Sequence, residues 1–480
     1  MQRHVDRRMF LKLTALTLAG PSIAPGAAVR EKRPNILIIN GDDLGAQLGC
    51  YGDNYVQTPN IDAIAAEGIR FRTAWVSQAS CSPSRSSIYT GLYPHQNGQI
   101  GLCHCGYSMH RKYPTITGEL KKAGYKTGVI GKFHIEPRNA CPWDMSNFDR
   151  ETNFKKRDVK AIAEVFKDFV EQAGDSPFFI MLNYVDPHWP LSSDNYQLPE
   201  NPLKGDDVES LDFIGINTPE IRRQTAYYYN CVGRLDQGVG LVIDNLKRAG
   251  KYDDTLIIVM GDHGAPFTRS KTTCYNMGLS IPFIMSYPKA KVRSSVSSQM
   301  VSTVDIFPTI LDFANIRKPR NLAGRSLVDF LNNPAAATRE YMFAEFNAHT
   351  QYIWFPRRTV RDHRYQLVLN LLDRENPVKG VDGCVVWQEF ERLQADLEPE
   401  VRAAYNAYNR PPEIELFDLE KDPYCFINQA DNPNFRKIKQ RLITELEKWR
   451  RETNDPYLDK SRLAEITAKH DMMLKERSSG

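Results

Sequence analysis

A buried-strand pattern near the start of the chain, PNILIINGDD at residues 34–43, decides the fold. A continuous apolar run of this kind is typical of a strand that is buried on both faces of a parallel sheet. The run ends in Asp42 and Asp43, and two adjacent carboxylates beyond a buried strand are costly unless a cation neutralises them. Because open α/β sheets bind ligands at the carboxyl ends of their strands, we predict a ligand site here; a solvated turn is the alternative.

Three later segments repeat this arrangement of an apolar strand followed by polar groups. The strands at 125–130, 177–185 and 254–260 run into Lys132 and His134, Asp186 and His188, and Asp262 and His263. Because helical patterns alternate with these strands, we predict an α/β fold with a large, doubly wound, mostly parallel sheet flanked by helices. One edge of that sheet would collect all four sets of groups, so we predict a shared catalytic site there.

The segment CSPSR at residues 81–85 follows a helix-like stretch and the alternating strand pattern at 69–75. Ser82 or Ser84 can cap a helix, so we expect Cys81 to lie where a helix begins and unpaired backbone N–H groups point outward. Such a position lowers the pKa of a thiol and attracts a tetrahedral anion. The alternative is a buried structural cysteine.

The character of the chain changes between residues 330 and 350. Segments 341–346, 365–371 and 413–419 have strand patterns, and one late helix carries an apolar face from Phe435 to Trp449. This order predicts a smaller α+β domain with an antiparallel sheet. We therefore expect a catalytic domain at 33–340 and a smaller C-terminal domain at 341–480 that contributes to the substrate pocket.

The composition limits the function classes. With 480 residues, 41% of them hydrophobic, and a net charge of +4, the chain suits an enzyme with a large core. The small net charge argues against nucleic-acid binding and leaves room for a basic pocket that receives an anionic substrate. Nine cysteines are too few for a disulfide scaffold, and Cys103-His104-Cys105 has no second Cys/His pair at zinc spacing.

The first residues have the pattern of an export signal. RRMFLK at residues 7–12 matches the twin-arginine pattern, and an apolar segment at 13–24 and small residues at 26–28 follow. We predict a signal peptide at 1–28, recognition by the twin-arginine export machinery, and a periplasmic or extracellular mature protein without a membrane span. A basic tail is the alternative.

CSPSR fits the pattern C-x-P-S-R and resembles the signature of the sulfatase family. In that family a formylglycine-generating enzyme oxidises the cysteine, and the hydrated aldehyde attacks the sulfur of a sulfate ester or sulfamate. The resemblance covers nearly all of the mature chain and implies an alkaline-phosphatase-like fold and a sulfated saccharide substrate. It extends to Asp42-Asp43, Thr90-Gly91, Gly131-Lys132, His134, Asp186-Pro187-His188, Asp262-His263-Gly264 and Glu415-Leu416-Phe417-Asp418.

Within the family the chain is most similar to the heparan N-sulfatases. The segments that carry this similarity are HQNG at 95–98, VGRLDQGVGL at 232–241, LAGRSL at 322–327 and ETNDP at 452–456. The similarity implies a substrate with N-sulfoglucosamine at the end of a heparan sulfate or heparin fragment. Two residues depart from that pattern, because His263 stands where it has Asn and Lys271 where it has Arg.

The resemblance also implies the metal ligands. Asp42, Asp43, Asp262 and His263 would hold one calcium ion together with the modified Cys81. Carboxylate oxygens suit this hard cation, whereas an imidazole is a poorer calcium ligand than the amide oxygen it replaces.

Catalytic roles follow from the same resemblance. Arg85 would orient the formylglycine hydrate, and Asp262 would help to remove its proton. Lys132 and Lys271 would stabilise the sulfuryl oxygens, although Lys lacks the two-pronged hydrogen bonding of Arg.

Two histidines complete the implied mechanism. His188 would protonate the leaving amine or alcohol, and His134 would take a proton from the remaining hydroxyl so that the adduct collapses and releases sulfate.

Three alternatives stay open at this point. The first is an exo-acting O-sulfatase on a glycosaminoglycan or another sulfated polysaccharide. The second is a phosphodiesterase or phosphonate hydrolase of the same superfamily, although phosphatases of that group usually assemble two metals. The third is a secreted sugar-binding protein in which Cys81 is not modified.

Overall fold

Eight strands form the central sheet of the protein. The computed structural model describes residues 33–192, 197–379 and 385–479, so the predicted signal peptide at 1–28 lies outside the described residues. The strands are β1 Asn35–Gly41, β2 Ile69–Trp75, β3 Lys126–Gly131, β4 Met145–Asn147, β5 Phe178–Tyr184, β6 Thr255–Gly261, β7 Phe283–Ser286 and β8 Ser295–Ser302. Their spatial order is β4-β3-β5-β1-β6-β7-β2-β8.

The sheet is mostly parallel, as predicted. Only β7 runs antiparallel to its neighbours β6 and β2, whereas every other pair in this sheet is parallel. The four strands that carry the polar motifs, β3, β5, β1 and β6, are consecutive neighbours in the sheet. Since they run in the same direction, their carboxyl ends meet at one edge. Strands β4, β7 and β8 were not predicted.

The described part of the chain contains twelve α-helices. They are α1 Pro59–Glu67, α2 Cys81–Thr90, α3 Pro94–Asn97, α4 Ile116–Lys122, α5 Val159–Ala173, α6 Pro219–Arg248, α7 Asn276–Leu279, α8 Ile306–Phe313, α9 Val386–Leu393, α10 Pro399–Asn409, α11 Arg436–Glu452 and α12 Lys460–Ser479. None of the described helices is both long and apolar enough to cross a membrane.

Alternate side chains of the central strands pack against helices on opposite faces of the large sheet. Leu37 and Ile39 of β1 belong to the core that includes α1, α5 and α6. Ile36 and Ile38 belong to the core that includes α2, α4 and α8. Each fully buried side chain of this kind contributes about 1.5–3 kcal/mol. The predicted doubly wound architecture is therefore confirmed.

Helix α2 begins at Cys81, as expected, but the predicted caps are wrong. The N-cap residue is Ser80, and no side chain caps the helix. The hydroxyl of Ser82 instead accepts a hydrogen bond from the backbone N–H of Cys103 at 3.1 Å. The helix ends at Thr90, and the following Gly91 has a φ of +65°, the left-handed conformation that glycine adopts at low cost.

A second sheet lies in the C-terminal part of the chain. Its strands are β9 Met342–Ala348, β10 Trp354–Arg361, β11 Tyr365–Asn370 and β12 Ile414–Asp418, and all three pairs are antiparallel. Leu442, Leu446 and Trp449 of α11 pack on this sheet. The antiparallel sheet is as predicted. The prediction of a single late helix is wrong, because four helices follow β11, namely α9, α10, α11 and α12. The described residues from Pro34 onward form one compact unit.

Candidate active site

The carboxyl edge of the large sheet brings the predicted ligands together. The ligand atoms of Asp42, Asp43, Cys81 and His263 all lie within 4.8 Å of one another, and all four residues are buried. Asp42 and Asp43 follow β1, and His263 follows the neighbouring strand β6. Asp262 adjoins the group, because its Oδ1 accepts a hydrogen bond from the backbone N–H of Asp43 at 2.9 Å.

Cys81 lies at the bottom of this cluster and is only 1% exposed. Its Sγ is 3.4 Å from Nε2 of His263 and 3.4 Å from Nζ of Lys132. Burial raises the pKa of the thiol well above its ordinary value, and the positive charges of Lys132 and Lys271 do not offset this effect. The expectation that the helix N-terminus lowers this pKa is therefore wrong, because desolvation dominates.

Arg85 links three of the predicted strand ends. Its Nε donates to Asp262 at 3.0 Å and its Nη2 donates to Asp42 at 3.1 Å. Its Nη1 donates to the backbone carbonyl of Lys132 at 2.7 Å and to Oδ1 of Asn183 at 3.0 Å. Every nitrogen of the guanidinium is thus engaged, which fixes the geometry of the cluster around α2.

The pKa values of Asp42 and Asp262 are shifted in opposite directions. Burial disfavours the charged form of Asp42, but Lys132, His188 and Arg85 outweigh it and hold its pKa well below the ordinary value. Burial and the neighbouring charge of Asp42 raise the pKa of Asp262. Asp42 is therefore suited to remain an anion, and Asp262 is suited to accept a proton.

Asp43 and its partners complete the cluster on the side of β6. The φ of Asp43 is +64°, a conformation that residues other than glycine rarely adopt and that is common at functional sites. Its carboxylate lies 2.9 Å from Nζ of Lys271 and 3.1 Å from Nε2 of His263. Nδ1 of His263 lies 3.0 Å from the carbonyl of Gly264, so Nε2 is the ring nitrogen that faces the cluster.

Protein cations already balance the carboxylates. Asp42 pairs with Arg85 and Lys132, Asp262 pairs with Arg85, and Asp43 pairs with Lys271. Three Asp therefore face three basic side chains, and a metal ion is not needed to explain their convergence. An added divalent cation would give the cluster a charge of +2, which suits a sulfate monoanion together with an ionised nucleophile.

The donor set fits calcium. The three aspartates can supply several carboxylate oxygens, the ligands that calcium prefers, and Nε2 of His263 lies at the same place. The predicted ligands Asp42, Asp43, Cys81, Asp262 and His263 are thus all at the cluster.

His134 lies beside this cluster in contact with a residue that was not predicted. Its Nε2 is 2.8 Å from Nδ1 of His104. The φ of His134 is +55°, again an unusual conformation for a residue other than glycine. Burial and the charge of Lys132 lower the pKa of His134 well below its ordinary value, so its imidazole is neutral at neutral pH.

His188 is held by its own loop and by a buried ion-pair network. Its Nδ1 contacts the carbonyl of Trp189, and Arg157 donates to the carbonyl of His188 at 2.8 Å. Asp186, which the sequence placed at the site, instead pairs with Arg157 at 2.7 Å and with Arg234 through two bonds of 2.7 and 2.9 Å. This network fixes the backbone on which His188 lies.

A cavity of about 770 Å³ opens above Cys81, and Lys132, His134 and His188 line it. Its wall also contains Phe148, Asp149, Arg150, Asn153 and Phe154, which sequence reasoning missed because this segment has no periodic pattern. Arg138 and Arg150 line the cavity too. A larger groove of about 1160 Å³ near Arg111 and Trp449 contains none of the strand-end groups.

Asn183 and His104 were also missed. Asn183 looks like one more residue of a buried strand, and only the spatial position of Arg85 reveals its contact. His104 lies 30 positions before His134, and its one signal in the sequence is the short run of Cys and His at 103–105.

Two family models match the chain. The model named Sulfatase matches residues 34–316, and the model named N-sulphoglucosamine sulphohydrolase, C-terminal matches residues 261–379. The first match covers more than half of the chain and includes every residue of the cluster.

Curated proteins with related sequences support the same family. Human N-sulphoglucosamine sulphohydrolase is 32% identical over 466 residues, which cover 89% of this chain and 92% of the human protein. An ulvan-active sulfatase from Formosa agariphila is 28% identical over 461 residues, which cover 92% of this chain and 85% of that protein.

Solved structures share the fold. A structure described as a complex with its substrate D-glucosamine-2-N,6-O-disulfate has a TM-score of 0.67 at 21% identity and covers 88% of this chain and 99% of its own. A phosphonate monoester hydrolase from Silicibacter pomeroyi has a TM-score of 0.68 at 22% identity and covers 88% and 96%. The fold is therefore the alkaline-phosphatase-like fold that the resemblance implied. Together with the family models and the human relative, these findings establish that the chain belongs to the sulfatase family, the hydrolases of sulfate esters and sulfamates.

Proposed function

We propose that this protein is a formylglycine- and calcium-dependent sulfatase that releases sulfate from N-sulfoglucosamine at the end of heparan sulfate or heparin fragments. The observation that carries the proposal is the position of Cys81, whose Sγ lies 3.4 Å from Lys132 and from His263 beside three buried aspartates. The match of residues 261–379 to the C-terminal model of N-sulphoglucosamine sulphohydrolases supports the choice of substrate.

The proposed chemistry needs two groups that the polypeptide acquires. Calcium, held by Asp42, Asp43, Asp262 and His263, would supply positive charge near the sulfuryl oxygens, and formylglycine at position 81 would supply a nucleophilic oxygen.

The side chains around the cluster bind and orient the reacting groups. Arg85 holds Asp42 and Asp262 at fixed distances from position 81. Lys132 and Lys271, which lie next to Cys81 and Asp43, offer two positive charges to the sulfuryl oxygens. Asp262 has a raised pKa and is the group suited to accept the proton of the nucleophile.

Proton transfer on the cavity side falls to two histidines. Because a carbonyl oxygen only accepts hydrogen bonds, Nδ1 of His188 must carry a proton against Trp189. An additional proton on Nε2 then makes His188 the acid for the leaving amine or alcohol. His134 is neutral because its pKa is lowered, so it can accept the proton that releases sulfate from position 81.

Maturation and localisation are part of the proposal. A formylglycine-generating enzyme would modify Cys81, and the twin-arginine machinery would export the protein to the periplasm or beyond. We also propose the division into a catalytic domain at 33–340 and a smaller C-terminal domain at 341–480, in which His349 and Thr350 reach the substrate cavity.

An O-sulfatase is the second candidate function. Relatives at 26–28% identity include ulvan-active sulfatases and an N-acetylglucosamine-6-O-sulfatase from Bacteroides thetaiotaomicron. The departures His263 and Lys271 from the sulfamidase pattern favour this reading, since both residues contact Asp43 at the centre of the cluster.

Two measurements test the proposal. Mass spectrometry of the peptide that contains Cys81 must detect formylglycine in protein from a host that can make it, and an intact thiol there would favour a sugar-binding protein. Sulfate release should then be compared on N-sulfated and 6-O-sulfated glucosamine. Preference for the 6-O-sulfate would replace the N-sulfatase assignment, and preferred cleavage of a phosphonate monoester would overturn sulfatase function.

A further inference from the structure

Cys103, His104 and His134 form a second cluster at the edge of the cavity. One ligand atom from each residue lies within 4.8 Å of the other two. Cys103 and His104 come from the short turn at 103–105, and His134 comes from the loop after β3. The sequence indicated no second Cys/His pair at zinc spacing, but the fold supplies the missing ligand, His134, which lies 30 residues after His104.

The two imidazoles point at each other. Their ring centroids are 5.1 Å apart, their planes differ by 15°, and His104 Nδ1 lies 2.8 Å from His134 Nε2. One of these two nitrogens therefore donates its N–H to the lone pair of the other. Among the described residues Nδ1 of His134 has no hydrogen-bond partner, so no acceptor prescribes which nitrogen of that ring carries its proton.

We propose that Cys103, His104 and His134 form a binding site for a borderline transition metal such as Zn²⁺, separate from the calcium ligands. On metal binding the Cys103 thiol would release its proton to solvent, and the proton shared by the imidazoles would move to an outer ring nitrogen, so that both rings bind as neutral ligands. One thiolate and two imidazoles are ligands that select zinc over calcium.

The geometry needs only a local adjustment. Zinc bonds of about 2.0–2.1 Å to nitrogen at a tetrahedral angle separate two ligand nitrogens by roughly 3.3 Å, compared with 2.8 Å here. The exposed ring of His104 can rotate to provide this separation, and the fourth position would face the cavity.

Occupation of this site has a functional consequence that rests on the proposed function. A neutral His134 has one basic lone pair, because its other ring nitrogen carries the proton. That lone pair cannot serve a metal and a substrate proton at once, so a metal-bound His134 no longer accepts the proton that releases sulfate. Zinc should therefore inhibit turnover even when calcium is saturating.

Cobalt binding to the full-length protein tests the site without an activity assay. In saturating calcium, Co²⁺ should produce a thiolate-to-metal charge-transfer band that Zn²⁺ removes by displacement. Cys103→Ser should abolish the band. Cys105→Ser, a change in the same turn but outside the cluster, should retain it. Absence of the band in the wild type would overturn the proposal. Persistence of the band in Cys103→Ser would also overturn it, because that band would come from Cys81.

Inhibition is then measured separately. At a zinc concentration that lowers wild-type sulfate release tenfold, Cys103→Ser should retain at least half of its own zinc-free rate. Cobalt binding without zinc inhibition would keep the metal site and overturn its link to His134 catalysis. Loss of sulfatase activity in zinc-free enzyme would instead contradict the proposed function.

Discussion

The ion-pair network of Asp186 offers the sharpest stability prediction. Asp186→Asn keeps the shape of the side chain but leaves the guanidiniums of Arg157 and Arg234 buried opposite a neutral amide. The three side chains are 4% exposed or less, and three bonds of 2.7–2.9 Å join them. At an effective dielectric constant near 20, each charge pair is worth about 4 kcal/mol before desolvation, so breaking the network should lower the free energy of unfolding by about 3–5 kcal/mol.

Urea unfolding of the variant and the wild type measures this loss. Arg157→Gln is the matched control, because it keeps the two-bond pair of Arg234 with Asp186 and should cost clearly less. The arginines lower the pKa of Asp186 against the effect of burial, so the stabilisation should be full above about pH 4 and decline as the pH falls further. A loss below about 1 kcal/mol, or an equal loss in the control, would refute this reasoning.

Three further predictions concern the site and its support. His188→Ala should slow sugar sulfate hydrolysis about 10²–10⁴-fold but aryl sulfates with good leaving groups far less; equal losses in parallel assays would argue against His188 as the acid. Cys81→Ala should abolish sulfate release from both substrate types while urea unfolding stays close to that of the wild type, and residual turnover would exclude position 81 as the nucleophile. Burial raises the pKa of Asp236 to about 6, so its stabilising effect is present below about pH 4 and is lost as the pH rises through 6. Relative to Asp236→Asn, the wild type should therefore lose up to about 3 kcal/mol of unfolding free energy between pH 4 and 7, and a constant difference would contradict the raised pKa.

The central site could be predicted because its information is local. Each of the strands β1, β3, β5 and β6 is a short apolar run that stops at polar groups, and the parallel arrangement forces these ends to one edge. No long-range contact had to be known for Asp42, Lys132 or Asp262 to be placed together.

Strand β10 could not be found in the same way. Its sequence WFPRRTVR contains three arginines and a proline, which indicates an exposed segment, yet all eight residues are buried. Arg358 is compensated by Asp455, 97 positions later, and Arg361 lies over the ring of Trp75. The groups that compensate the buried arginines are distant in the chain, so a local sequence pattern cannot reveal them.

The thiol of Cys81 shows a second limit of local reasoning. Its position at the start of α2 was expected to lower its pKa, but the tertiary structure removes water from it and raises the pKa instead. Likewise, His104 became relevant only once the fold placed it against His134.

Under the proposed function, the 1% exposure of Cys81 also has a consequence for the timing of maturation. A second enzyme cannot reach around a side chain that the folded protein encloses, so we expect the proposed oxidation at position 81 to precede folding. A molecule that folds with its thiol intact would then stay unmodified. A culture that makes the protein faster than the maturation enzyme can modify it would therefore accumulate two forms with the same fold, one active and one inactive. The specific activity of the purified protein would then measure the fraction that was oxidised before folding.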